Sequence, residues 1–235
     1  MNDHGRTADP LGQTLCRLMG EATWKSMLAE AFERRHPIGA TLLRQAEPGT
    51  HVLALLSGVA KVTRRERTGD VRLLAFRGPG ELLGEVAVLD DGARSASVQA
   101  ISDCTVAVLA KAAFLRFVTD RDLFPVMVRY AIGRLRESDL ARGGGDIVAR
   151  LAGALATLAD VSVGPANPAG PAGPAGRRAE LALTRDELAQ HLGVSRNTVT
   201  AGLAELGPHQ VHAGRKSIVI GDLSALRRVA DGARD

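Results

Sequence analysis

Gly84-Glu85 and, nine and ten residues after the glutamate, Arg94-Ser95 put a carboxylate, a guanidinium and a hydroxyl into one short stretch, GELLGEVAVLDDGARSASV. An arginine fork, a hydroxyl and backbone N–H groups at the start of a short helix can hold an anion. A carboxylate beside them can accept a hydrogen bond from a sugar hydroxyl, and a glycine lets backbone approach a ligand closely. The stretch could therefore grip a sugar and a phosphate together. The alternative is an ordinary Glu–Arg pair in a surface loop.

A second constellation lies at LTRDELAQHLGVSRNTVTAGLAEL, Leu183 to Leu206. Thr184 and Glu187 have the spacing of a capping box that starts a helix. Leu188 and Leu192 give that helix an apolar face, and Ala189 is small where a second helix must pack. Gly193 supplies a sharp turn, and Ser195 caps the next helix, whose Val199 and Leu203 face the core. Helix, glycine turn and second helix is the helix-turn-helix arrangement. It presents the first residues of the second helix to base edges in the major groove of DNA. His191, inside the first helix, reads as a surface residue.

These residues need a scaffold, and the chain divides to supply one. Leu15 to Phe32 shows apolar residues at helical spacing, ended by Pro37. From Ile38 to Leu109, short β-prone runs (TLL, HVLALLSG, VAKVTR, VRLLAF, SASVQA, CTVAVLA) alternate with turn residues, which predicts an antiparallel barrel, roll or sandwich. Gly39, Gly49, Gly58, Gly69 and Gly80 fall where turns with positive φ are expected. Helical periodicity returns over Lys111–Ala141. Phe124, Val128, Ala131 and Leu135 form one stripe, and Leu123, Met127 and Tyr130 a neighbouring one. So wide an apolar surface must be covered by the chain's own domain or by a second copy. Gly143–Gly145 breaks this helix, and a further one runs from Asp146 to about Leu158. GPANPAGPAGPAG at 164–176 reads as a flexible loop or linker. Beyond the helix-turn-helix, HQVHAGRKSIVI alternates around a glycine turn as a β-hairpin wing would, and Asp222 caps a last helix, LSALRRVA.

Composition narrows the classes. The 235 residues are 45% apolar and 24% charged, as in folded soluble proteins and unlike disordered chains. No apolar run approaches the roughly 18 residues of a membrane span, and Met1 to Gln13 shows no secretory signal. Two cysteines, Cys16 and Cys104, are too few for a disulfide framework, a four-thiolate metal site or an iron–sulfur cluster, and they fit a reducing cytoplasm. The net charge of +4 permits nucleic-acid binding without demanding it. No nucleophile elbow, Walker loop or metal-ligand spacing occurs, so neither catalysis nor a metal site is expected.

LSGVAKV followed by GPGELLGEVAVLDDGARSASV resembles the cyclic-nucleotide-binding β-roll of the Crp/Fnr family of bacterial regulators, and the C-terminal motif resembles the winged helix-turn-helix of the same family. The resemblance covers about residues 35–235. It implies an α+β fold: an N-terminal helix and jelly-roll-like β-roll over 1–120, a long dimerisation helix over 121–142, and a winged helix-turn-helix over 146–235 that carries the 164–176 loop. It further implies a cytoplasmic homodimer that binds double-stranded DNA, contacts RNA polymerase, and answers to a small effector such as cyclic AMP.

By that resemblance Glu85 takes the ribose 2′-hydroxyl, Arg94 and Ser95 the cyclic phosphate, and Gly84 a backbone contact. Members that do not bind cyclic nucleotides often lose the Glu or the Arg, and this chain keeps both. The family reads adenine from adjacent hydroxyl residues of the long helix. Here the matching stretch is RLRESD, so Ser138 keeps one hydroxyl while Asp139 replaces the second and can accept but not donate. In the recognition helix, Arg196 matches the family's first arginine and suits guanine, Asn197 replaces an acidic residue and suits adenine, and Ala201 replaces a later arginine. The DNA site is therefore expected to differ from the family's best-known half-site. Ser195, Thr198, Arg215 and Lys216 are candidate phosphate contacts. Two other readings stay open: an effector-independent regulator with a structural β-roll, and a nucleotide-binding regulatory module of an enzyme.

Overall fold

The computed structural model of the chain describes residues 14–140, 146–163, 178–209 and 211–232, with the side chains of 135–140 and 163 outside that description. The expected break at Gly143–Gly145 and the 164–176 loop lie outside the described residues.

Two short helices, α1 (Leu15–Met19) and α2 (Glu21–Leu28), stand where one was expected. Gly20, at φ 83°, separates them in a left-handed backbone that a side chain would disfavour. Nor does helix continue to Pro37. Phe32–His36 is strand β1, with Phe32 63% exposed. FERRH carries no apolar alternation. Antiparallel pairing with Cys104–Val108 makes it a strand, so tertiary context overrides its local pattern.

The remaining runs expected as strands are strands: β2 (Thr41–Leu43), β3 (His51–Ser57), β4 (Ala60–Arg65), β5 (Val71–Arg77), β7 (Ser97–Ala100) and β8 (Cys104–Ala110). A two-residue strand, β6 (Leu82–Leu83), and helix α3 (Glu85–Leu89) lie between β5 and β7. The strands form two four-stranded sheets, in the orders β1-β8-β3-β6 and β2-β7-β4-β5. Strand β3 explains why its run is almost continuously apolar. Val52 and Ala54 face the helices, packing with Leu15, Trp24, Met27 and Phe114. Leu53 and Leu55 face the other sheet, packing with Leu83, Val98 and Val106. A strand buried on both faces needs apolar residues at every position.

Gly39, Gly58, Gly69 and Gly80 take positive φ as expected, but Gly49 does not. Its requirement is steric: a Cβ there would lie 2.3 Å from the Ala87 carbonyl oxygen.

The helical stretch after β8 is also two helices, α4 (Lys111–Asp120) and α5 (Phe124–Leu140), broken at Asp122 with φ 48°. Pro125 sits in the first turn of α5, where a missing N–H costs nothing. Leu123, Met127 and Tyr130 pack onto the roll, while Phe124, Val128 and Ile132 of α5 face outward.

Helix α6 (Ile147–Val163) runs five residues beyond its expected end and is the spine of the C-terminal core. Around it pack β9 (Ala179–Leu181), α7 (Arg185–Leu192), α8 (Arg196–Glu205), the hairpin β10 (Val211–Ala213) and β11 (Ile218–Ile220), and α9 (Leu223–Ala230). The wing is three-stranded, in the order β10-β11-β9.

This C-terminal unit rests on the roll. Val59, Leu73, Phe76 and Ile101 of the roll join its apolar core. The Gln190 amide acts as a missing strand at the edge of β5: its Oε1 accepts from Leu73 N at 2.5 Å and its Nε2 donates to Val71 O at 3.3 Å. The Lys61 ammonium, on β4, reaches Glu187 Oε1 at 2.5 Å and Ala182 O at 3.2 Å. The other Glu187 oxygen closes the capping box on Thr184 at 2.8 Å. Lys61 and Glu187 side chains are only 9% and 15% exposed. Lys61→Ala would strip Glu187 of its cation. The expected destabilisation is about 2–4 kcal/mol, somewhat below that of halving a fully buried pair. Thermal unfolding of the variant measures it, and an unchanged Tm would contradict the interdomain role.

Candidate functional site

Strand β6 is held by β3, with Leu82 and Leu83 both buried, so the chain enters the GE…RS stretch from a fixed point. Gly84 then turns left-handed at φ 81° and Glu85 opens α3. Ala87 and Val88 anchor that helix inward. The following turn is tied by Gly92 N, which donates to Asp90 Oδ1 at 3.0 Å. Arg94 is fixed through its backbone: its N–H donates to Glu47 O at 2.8 Å and its carbonyl accepts from Ala46 N at 2.9 Å.

These anchors bring Gly84, Glu85 and Arg94 together. The Arg94 side chain folds inward, leaving the residue 4% exposed. Its Nη1 donates to Gly84 O and its Nη2 to His51 O, both at 2.5 Å. A Cβ on residue 84 would lie 2.3 Å from Arg94 Nη1, so the glycine is required by close approach as well as by φ. Among the described residues no carboxylate pairs with Arg94. Burial pulls its pKa down, while Glu85 and Glu47 act in the opposite direction. The Glu85 carboxyl is pushed up, chiefly by burial, with Arg77 and Arg94 partly offsetting it. Ser95, next to Arg94, is exposed.

A guanidinium carries five N–H donors. Two are spent on carbonyls, and the rest, on a buried cation with no directly paired carboxylate among the described residues, suit a phosphate. The site therefore fits a cyclic nucleotide: an anion for Arg94, a carboxylate for a ribose hydroxyl, and a glycine cradle that a side chain would fill. Ser138 and Asp139 belong to α5 by backbone, and their side chains lie outside the described residues.

Three residues near the site have no sequence signal. Glu81, fully buried, accepts from the Tyr130 hydroxyl at 2.5 Å and pairs with Arg134, tying α5 to the start of β6. Arg77 closes β5 beside Glu85. Arg77 and Arg134 also line a cleft of about 850 Å³ that reaches Gln190, His191 and Gly193 at α7. These side chains come from distant segments, and no spacing links them. His191 is a correction: it is half-buried between the units, its ring 4.9 Å from that of Phe76, and burial lowers its pKa.

The helix-turn-helix forms as its residues require. Thr184 and Glu187 make the capping box, Gly193 turns at φ 68°, and Ser195 caps α8 through Thr198 N. Leu188, Ala189, Leu192, Val199 and Leu203 are buried. Gly202 is buried too, and a Cβ there would come within 3.2 Å of Leu151 Cδ2, so it lets α8 lie close on α6. Ser195, Arg196, Asn197 and Ala201 are exposed on α8 and its cap, as are Arg215 and Lys216 at the wing tip. Thr198 is half-buried and its hydroxyl meets Ser195 Oγ at 2.8 Å. Among the described residues, no cluster of His, Cys, Asp or Glu is arranged to hold a metal, and no helix is long and apolar enough to cross a membrane.

Comparison with known proteins matches the two halves separately. Residues 33–121 match the cyclic nucleotide-binding domain, and residues 149–229 match the Crp-like helix-turn-helix domain. The Cyclic AMP receptor protein of Thermus thermophilus is 30% identical over 210 residues, covering 86% of this chain and 89% of that protein. The CRP-like cAMP-activated global transcriptional regulator of Mycobacterium tuberculosis is 29% identical over 201 residues, 83% of this chain and 86% of its own. A solved CRP/FNR-family transcriptional regulator, also from Thermus thermophilus, shares the fold with a TM-score of 0.56 at 22% identity, covering 85% of this chain and 98% of the other.

Proposed function

Since the chain belongs to the Crp/Fnr family of transcription regulators and is not an enzyme, we propose that it is a cytoplasmic homodimer whose affinity for DNA is controlled by a cyclic nucleotide, cyclic AMP being the first candidate. The observation that carries the effector reading is Arg94: buried, unmatched by a carboxylate among the described residues, and wired to Gly84 beside Glu85. The relatives named for cyclic AMP support the same ligand.

In this reading Arg94 and Ser95 hold the cyclic phosphate, Glu85 accepts from the ribose 2′-hydroxyl, and Gly84 lets the sugar approach. Ser138 and Asp139 of α5 meet the base. Helix α5 joins two copies through Phe124, Val128 and Ile132, which are 47%, 56% and 43% exposed. Arg196, Asn197 and Ala201 face the major groove, Ser195, Thr198, Arg215 and Lys216 the phosphates, and RNA polymerase is the further partner. The cleft lined by Arg77 of β5 and Arg134 of α5 reaches the helix-turn-helix at Gln190, His191 and Gly193. A ligand shifts the DNA-binding unit only by favouring one arrangement of these parts over another.

Calorimetric titration with cyclic AMP and cyclic GMP tests the reading. Saturable binding of one of them supports it. Binding of neither leaves a DNA-binding regulator whose roll is structural.

The pH dependence has a definite sign. The Glu85 carboxyl titrates above its usual range, and only its ionised form gives the ribose hydroxyl a charge-assisted acceptor. Nucleotide affinity should therefore be full where Glu85 is ionised and fall as pH drops through its raised pKa. Repeating the titration over a pH series shows this, and Glu85→Gln should flatten the profile.

A further inference from the structure

The exposed face of α8 changes chemistry along its length. Its first turn carries Arg196 and Asn197. Arg196 Nε lies 3.5 Å from Asp186 Oδ1, which orients the guanidinium while leaving the two Nη groups to the groove. Beyond that turn the exposed residues are Thr200, Ala201, Ala204 and, at the last position of the helix, Glu205, while Val199, Gly202 and Leu203 pack inward. The Thr200 hydroxyl is spent, donating to Arg196 O at 2.9 Å. What Thr200, Ala201 and Ala204 offer to a partner is methyl groups, with the one carboxylate, Glu205, confined to the C-terminal end of the helix. Among the ten residues of α8, Arg196 is the single cation.

A methyl surface cannot satisfy the acceptors of guanine or the donor of cytosine. In the major groove its one complement is the C5-methyl of thymine. Arginine suits guanine O6 and N7, and asparagine suits adenine N6 and N7. We infer that Thr200, Ala201 and Ala204 are specificity-determining residues that read thymine methyl groups, so that each half-site holds one guanine facing Arg196, an adjacent adenine facing Asn197, and A·T pairs opposite those three residues. This rests on the DNA-binding reading above and deepens it. Burying one thymine methyl against these alanines corresponds to an affinity factor of about 4.

The test is a binding selection from a random duplex library with the full-length chain and cyclic AMP, repeated without nucleotide. The selected site is then remade with deoxyuridine for thymine, one position at a time. The expected result is a half-site with a single guanine next to adenine and a thymine-bearing remainder. Removing a facing methyl should weaken binding about 4-fold, and Ala201→Arg should bring a second guanine into the selected site. Half-sites with guanine at two or more positions for the native chain, or indifference to deoxyuridine throughout, would overturn the inference while leaving DNA binding intact. No enrichment under either condition would overturn the inference and the DNA-binding reading together.

Discussion

Arg94→Ala is expected to weaken cyclic nucleotide binding by about 30-fold or more, the range for truncating one member of a buried, hydrogen-bonded charge pair. The size follows from where the guanidinium sits. It is 4% exposed, its orientation is held by the Gly84 and His51 carbonyls, and no carboxylate among the described residues forms an ion pair with it. A phosphate in this site would meet a desolvated cation already aimed by protein, so little reorganisation is needed on binding. Arg94→Lys separates charge from geometry. It keeps the cation but loses the planar fork that spans two carbonyls, and should fall between wild type and alanine. Both variants leave carbonyls short of a donor, at a cost of about 1–3 kcal/mol each where they are buried. Thermal unfolding must therefore accompany the titration, so that affinity is measured on folded protein. A folded Arg94→Ala protein that binds as wild type does would remove Arg94 from the site.

Val128→Glu is expected to produce a folded monomer. Val128 is 56% exposed and lies between Phe124 and Ile132 on the outward face of α5, one helical turn from each. A carboxylate there costs the isolated chain little, but at an interface between two copies it would be buried without a partner. Sedimentation should report dimer for the wild type and monomer for the variant. Affinity for a DNA site with two half-sites should drop by about 10²-fold or more, because a linked pair of modules gains that much from effective concentration. Met127→Glu gives the contrast. Met127 is 4% exposed and packs on the roll, so its substitution should lower the melting temperature of the chain itself. A Val128→Glu protein that remains dimeric would place the interface elsewhere.

The two stripes on α5 show what sequence periodicity can and cannot tell. The spacing separates Phe124 and Val128 from Leu123, Met127 and Tyr130, but either could have faced the roll. Only the packing decides, and it buries the second set. The helix-turn-helix was the most legible part of the chain, because its determinants are local: a capping box, a left-handed glycine and an N-cap within 12 residues of one another. The strands of the roll were legible for a similar reason, since each buried strand carries its own apolar run between turn residues. Strand β1 was not, because FERRH is a polar edge that becomes a strand through its neighbour. Gly20 and Asp122 each break a helix at a positive φ that apolar spacing does not register.

At the effector site the glycine, glutamate and arginine were readable because they share one loop. Arg77, Glu81 and Arg134 were not, because they arrive from β5, the start of β6 and α5. The contact of α7 with the roll was hidden for the same reason. Lys61 and Glu187 are 126 residues apart, and Glu187 is already accounted for locally by its capping box. His191 looks like a surface residue of a helix until Phe76 of the roll is placed against it.

The most direct test of effector control is a pair of DNA-binding isotherms for the full-length chain on its selected site, one without nucleotide and one with saturating cyclic AMP, together with the cyclic AMP titration repeated in the presence of that DNA. Linkage requires the two ligands to change each other's affinity by the same factor. Effector control predicts a factor well above one and equal in both directions. Superimposable DNA isotherms, with cyclic AMP bound or absent, would contradict it.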